Sequence, residues 1–243
     1  MRVTGCIPSR YASTRLPGKP LCDIAGKPMV IRVLEKARQA KTLDDVVVLT
    51  DDPRILDTVN HAGYKAVMTS SQCASGTDRI ADYMQQAEGD IFVNMQGDEV
   101  LLNPAHIDRL VEDFTRTANA QMGTLAHWVT DKTILADPTT AKIVTALQGK
   151  ALYFSRNCIP VTQSGDYPAQ GLVHIGVYIY TRQTLEKLTA QTQTPLENIE
   201  KLEQLRALES GIDIQVTTVE DYQSLSVDTP QDLEKARQLF SAG

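Results

Sequence analysis

Four short apolar runs, at residues 3–7, 46–49, 66–68 and 91–94, alternate with segments whose apolar residues recur at helical spacing. Met29, Val30, Val33, Leu34 and Ala37 share one helical face, as do Ile55, Leu56 and Val59, and then Ile80, Tyr83, Met84 and Ala87. Asp52-Pro53 gives a helix start with Pro at its first position, and Ser75 or Thr77 opens another. Strand–helix–strand alternation constrains the chain to an α/β fold: a mainly parallel, doubly wound, Rossmann-like sheet covered on both faces. Such sheets bind ligands beyond the carboxyl ends of their strands, at the switch point. The loops after residues 3–7 and 91–94 are therefore expected at one crevice.

From about residue 121 the texture changes. Residues 122–129, 142–147 and 174–180 read as strands, and 164–171, with Gly165, Asp166 and Pro168, as an exposed loop. No βαβ rhythm links them, so about 121–180 is expected to be a β-rich subdomain or dimer-forming insertion. Residues 196–209 read as one helix, with Leu196, Ile199, Leu202, Leu205 and Leu208 mostly on one face. A strand at 212–219 and a helix after Thr229-Pro230 follow. A length of 243 residues fits one large α/β domain, 1–243, carrying that insertion.

The loop after the first strand concentrates the chemistry. Arg10, Arg15 and Lys19 fall within ten residues, with Pro17 and Gly18 shaping the backbone. Three cations and free backbone N–H groups make a cradle for a polyphosphate. A solvated basic loop is the alternative. The loop lacks the G-x-x-x-x-G-K-[ST] spacing, and no G-x-G-x-x-G occurs, which makes a nicotinamide oxidoreductase remote. Residues 1–40 hold eight Lys/Arg against two acids, a local +6 in a chain of net charge −6. A basic patch in an acidic protein points to one anionic ligand rather than to nucleic acid.

Cys6, Cys22, Cys73 and Cys158 show no metal-binding spacing and suggest a reducing cytoplasm. No signal peptide is read at the start of the chain, and no apolar run is long enough for a membrane span.

Asp98 follows the strand at 91–94 in Gln96-Gly97-Asp98-Glu99, where a carboxylate suits Mg²⁺. Asp228 precedes Thr229-Pro230 and reads either as a second such carboxylate or as a cap for the last helix. Ser75-Gly76-Thr77-Asp78-Arg79 opens a helix that could face a nucleotide or simply be capped. Arg156 is a bidentate partner for a carboxylate, and Tyr178 and His174 could bond sugar hydroxyls, with a structural role the default for His174.

Together, R-Y-A-S-T-R-L-P-G-K-P-L, S-G-T-D-R, Q-G-D-E, A-L-Y-F-S-R-x-x-I-P, H-I-G-V-Y, L-E-Q-L-R and V-D-T-P-x-D-L resemble, in order, the 3-deoxy-manno-octulosonate (Kdo) cytidylyltransferase family. The resemblance implies a homodimer that joins CTP and Kdo into CMP-Kdo and pyrophosphate for lipopolysaccharide or capsule synthesis. It implies nucleotide binding by Pro8, Ser9, Arg10, Arg15, Lys19, Ser75, Gly76 and Arg79, and sugar binding by Gln96, Arg156, His174, Tyr178, Glu203 and Gln204. Lys19, Arg10, Asp98 and Asp228 become the catalytic set, with Mg²⁺ on the two aspartates. The chain departs from the family pattern at Ser9 (usually Ala), at Val100 (usually Pro), at 139–142 (usually Asn-x-Val-Lys) and at Asn157-Cys158. These departures lie toward the sugar half, so 8-amino-Kdo or a nonulosonic acid stays open as the acceptor. A non-catalytic nucleotide-binding protein is the remaining alternative.

Overall fold

The computed structural model describes residues 1–13 and 15–241; Thr14, in the basic-loop motif, lies outside the described residues. The chain divides into two compact units, 1–108 with 223–243, and 109–222.

The first unit contains β1 (Val3–Pro8), a short hairpin of β2 (Asp23–Ile24) and β3 (Lys27–Pro28), α1 (Met29–Ala37), β4 (Asp45–Thr50), α2 (Pro53–His61), β5 (Ala66–Met68), α3 (Gly76–Met84) and β6 (Ile91–Asn94). The four main strands are parallel in the order β6-β1-β4-β5. The chain runs outward from β1 to β5 and then restarts on the other side at β6, which puts the switch point between β1 and β6. α1 buries Met29, Val30, Val33, Leu34 and Ala37 completely, the face its spacing foretold. Asp52 caps α2 by accepting from the Arg54 N–H. Ser75 caps α3 in a reciprocal box with Asp78, which satisfies two backbone donors at that end.

α4 (Pro104–Arg116) leads into the second unit, which continues with β7 (Met122–Val129), α5 (Lys132–Ala136), β8 (Lys142–Thr145), β9 (Ala151–Ser155), β10 (Gly171–Thr181), α6 (Arg182–Thr189), α7 (Pro195–Glu200), α8 (Gln204–Glu209) and β11 (Ile214–Thr218). β11 is parallel to β7; β7, β10, β8 and β9 pair antiparallel in that order. The chain then returns to the first unit and ends in α9 (Pro230–Ser241).

The expected helix over 196–209 is broken. Lys201 takes a left-handed conformation, φ 53°, and α8 starts afresh at Gln204. The cause is Arg156, whose guanidinium donates to the carbonyls of Glu200 (2.7 Å) and Lys201 (3.1 Å), drawing them out of any continuing helical ladder. Ile199, expected on the apolar face, is 76% exposed.

Candidate active site

The loop after β1 is fixed before any ligand is considered. Ser9 N–H donates to Leu49 O, Leu16 is buried, and Gly18 adopts φ 68° to enter a 3-10 turn at Lys19–Leu21. A side chain at Gly18 would strain that φ and press on the Tyr11 ring. Tyr11 in turn lies under the Arg54 guanidinium, 3.4 Å from its ring centroid, and Arg54 is held bidentately by Asp52. The loop after β6 approaches so closely that a Cβ on Gly97 would sit 2.9 Å from the Pro8 carbonyl oxygen. Only glycine permits that contact, and it brings Asp98 to the mouth of the crevice.

A cleft of about 390 Å³ results, lined by Pro8, Ser9, Arg10, Arg15 and Lys19, by Ser75, Gly76 and Arg79, and by Gln96, Asp98 and Asp228. All of these were singled out in the sequence. Lys19 Nζ donates to Asp98 Oδ2 at 2.5 Å and to Asp228 Oδ1 at 2.9 Å. Arg15 reaches the same Asp228 oxygen at 3.0 Å. Asp228 does not cap the last helix. Thr229 does so, in a reciprocal box with Asp232. Asp228 is thereby left to face two cations, and Arg10 extends exposed at the rim.

Arg79 is buried. It donates to Thr69 Oγ1 (2.6 Å) and to Asp51 Oδ2 (3.2 Å). Sequence reasoning missed Asp51 and Thr69. Asp51 directly follows β4, so the rule that led to Asp98 would have found it too.

The remaining candidates lie in the second unit. Arg156 is consumed by backbone: besides Glu200 and Lys201 it donates to the carbonyls of Pro138 (3.1 Å) and Thr139 (3.4 Å). Lys142, fully buried, donates to the carbonyls of Asp137 (2.7 Å), Thr140 (2.8 Å) and Arg156 (2.5 Å). Burial holds its ammonium below the usual lysine range. His174 packs against Phe154 and Tyr178, with Nε2 3.0 Å from Thr124 Oγ1. The Thr124 hydroxyl donates to Val177 O, so it accepts from the ring. Burial pushes the His174 imidazolium down to about 3 and the Tyr178 phenol up, leaving both neutral at pH 7. Glu203 caps α8. Gln204 beside it is buried, and its Nε2 has no hydrogen-bond partner among the described residues. An unpaired buried amide donor is costly unless a ligand or water takes it.

The second unit also holds an ion pair that the sequence reading did not single out. Arg206 donates to both carboxylate oxygens of Glu197, at 2.8 and 2.5 Å, with both side chains buried. Burial raises the Glu197 carboxyl, but the Arg206 bond, the Thr194 N–H and nearby cations outweigh it and hold the group below the ordinary range.

A parallel sheet with a cationic cleft at its switch point defines a nucleotide-binding α/β protein. Residues 4–214 match the cytidylyltransferase family, and the chain belongs to it. The 3-deoxy-manno-octulosonate cytidylyltransferase of Trichlorobacter lovleyi is 43% identical over the full length of both chains. The 8-amino-3,8-dideoxy-manno-octulosonate cytidylyltransferase of Shewanella amazonensis is 45% identical over 97% of each. Among solved structures, a CMP:2-keto-3-deoxy-manno-octonic acid synthetase complexed with CTP superposes with a TM-score of 0.94 at 39% identity, covering 100% of this chain and 99% of the other. The chain is thus a nucleotidyltransferase of the cytidylyltransferase type, with the mainly parallel sheet that its sequence implied.

Proposed function

We propose that this enzyme transfers CMP from CTP to the anomeric 2-hydroxyl of Kdo. The sugar oxygen attacks the α-phosphorus in line, the bond to the β-phosphate oxygen breaks, the hydroxyl proton is lost and pyrophosphate leaves. The observation that carries this reading is the Lys19 ammonium held between Asp98 and Asp228 beside the cationic loop. No covalent enzyme intermediate is required, so catalysis rests on positioning and on neutralising phosphate charge. Arg10, Arg15 and Lys19 would hold the triphosphate, Lys19 turning from the aspartates to the phosphates as they enter. Pro8, Ser9, Ser75, Gly76 and the immobilised Arg79 would face the nucleotide.

The two aspartates fit Mg²⁺. Their donor set is hard oxygen, and the Lys19 ammonium already occupies the point of attraction for a cation. Among the described residues no group of three or more His, Cys, Asp or Glu could hold a metal alone. Mg²⁺ takes few protein ligands and completes its shell with water and phosphate, so two carboxylates suffice. When bound, it would draw charge from the phosphate oxygens. Gln96, His174, Tyr178, Glu203 and Gln204 would serve the sugar acid, the unpaired Gln204 amide being the strongest support. The carbonyl contacts of Arg156 favour ordering the second unit over gripping the sugar carboxylate.

A second acceptor, 8-amino-Kdo, is favoured equally by relatives named for it at 45% identity. Trp128 and Leu152, 56% and 62% exposed on the strands of the second unit, support a homodimer. Four free cysteines support a cytoplasmic enzyme; no helix among the described residues is long and apolar enough to cross a membrane.

Pyrophosphate release with CTP and each sugar acid, against ATP, GTP and UTP, tests the reading. CTP-selective release with Kdo is expected. Release only with 8-amino-Kdo would transfer the assignment to that sugar, and release with neither sugar would end it.

A further inference from the structure

Asp98 and Asp228 come from opposite ends of the first unit's sequence, so something must bring the segment before α9 to the loop after β6. The contacts identify it. Glu99 is 9% exposed, and its carboxylate accepts from the Leu225 N–H at 2.9 Å and from Ser224 Oγ at 2.8 Å. Its backbone forms an isolated antiparallel bridge with Ser226. On one side Val227 N–H donates to Asp98 O at 3.0 Å, and on the other Val100 N–H donates to Leu225 O at 3.4 Å. Val100 and Val227 are both fully buried. A proline at position 100 would have no N–H to give, so this chain's valine adds a strand-like contact. Glu99 itself has no role in the nucleotide or sugar chemistry described above.

We propose that Glu99 is a positioning residue of the candidate metal site. Its carboxylate clasps Ser224 and Leu225 to the loop after β6 and so sets Asp228 opposite Asp98. The inference rests on the reading that these two aspartates bind the metal. Without the clasp the chain near Asp228 keeps its bond to Asp98 O but loses the two side-chain contacts that limit its swing. The distance between two carboxylates sharing one small cation is the quantity such freedom spoils.

The test uses the full chain with saturating CTP and no sugar, and titrates Mn²⁺ by electron paramagnetic resonance. CTP affinity is measured separately in EDTA. Glu99→Ala is expected to weaken Mn²⁺ binding at least tenfold while CTP affinity in EDTA stays within about twofold. Glu99→Gln should recover most of the loss, because its amide oxygen accepts from Leu225 N–H and its NH₂ can donate to Ser224 Oγ. Ser224 is exposed, so Ser224→Ala keeps the fold and should weaken Mn²⁺ binding by a few-fold, which preserves the test if Glu99→Ala does not fold. Unchanged Mn²⁺ binding in Glu99→Ala and Ser224→Ala would overturn the proposal. So would a Gln variant as weak as the Ala variant, or a parallel loss of metal-free CTP binding. Asp228→Asn separates the two readings: if it binds Mn²⁺ like the parent, the metal assignment has failed and the clasp falls with it. If it binds weakly while Glu99→Ala does not, only the clasp is wrong.

Discussion

The two units use the same side chains in opposite ways. In the first, Arg15 and Lys19 meet carboxylates that face the cleft, and those contacts can be exchanged for a ligand's. In the second, Lys142 and Arg156 meet backbone carbonyls, and the ion pair of Arg206 with Glu197 is shut away from water. A carbonyl contact closes a helix end or ties a loop, and nothing a substrate offers improves on it. A carboxylate contact at the rim is provisional, because a polyphosphate competes for the same cation. The partner and its exposure, more than the residue type, separate an exchangeable cation from a structural one.

The comparison can be broken by substitution in each unit. Asp98→Ala should lower turnover by about 10³-fold or more, from lost stabilisation of phosphate charge, while thermal unfolding stays within a degree or two of the parent. Retained turnover would remove the cleft's claim to the chemistry. In the second unit the balance reverses: Glu197→Gln leaves Arg206 charged and buried, and should cost about 3 kcal/mol in urea unfolding. A change below about 1 kcal/mol would show that water reaches the pair. The smallest effect sharpens the contrast by pH. The folded His174 value of about 3 lies below its ordinary 6.5, so the unfolded chain takes the proton first as pH falls. Its contribution is complete above 6.5 and declines below it, by about 2 kcal/mol between pH 7 and pH 5. His174→Asn should flatten that part of the stability profile; an unchanged slope would mean that other groups set it.

Much of this was legible in the sequence, for reasons that can be named. Buried parallel strands leave apolar runs, and the carboxyl-end rule located the loops of Lys19 and Asp98 together. The Asp-Thr-Pro at 228–230 was ambiguous, because an Asp before a helix reads as a cap until Thr229 is seen to perform that task. The break at Lys201 was illegible for a different reason. Leu196, Ile199, Leu202 and Leu205 recur every third residue across it, and only a guanidinium from a distant strand end takes the carbonyls away. The same long-range event hid the role of Arg156. α4 was readable, with Asn103 before Pro104 and Ile107, Leu110, Val111 and Phe114 on one face, but it carries no motif and passed unnoticed.

The position of Lys19 also bears on how a substrate arrives. A triphosphate nearing two bare carboxylates would be turned back by their field. With the ammonium lodged between them, and Arg15 on the same Asp228 oxygen, that field is largely cancelled before the anion comes within a Debye length. Under the proposed function, an incoming nucleotide would first meet the exposed Arg10 and Arg15. Its encounter would then be steered by attraction and governed by ionic strength, with no repulsion added by Asp98 and Asp228.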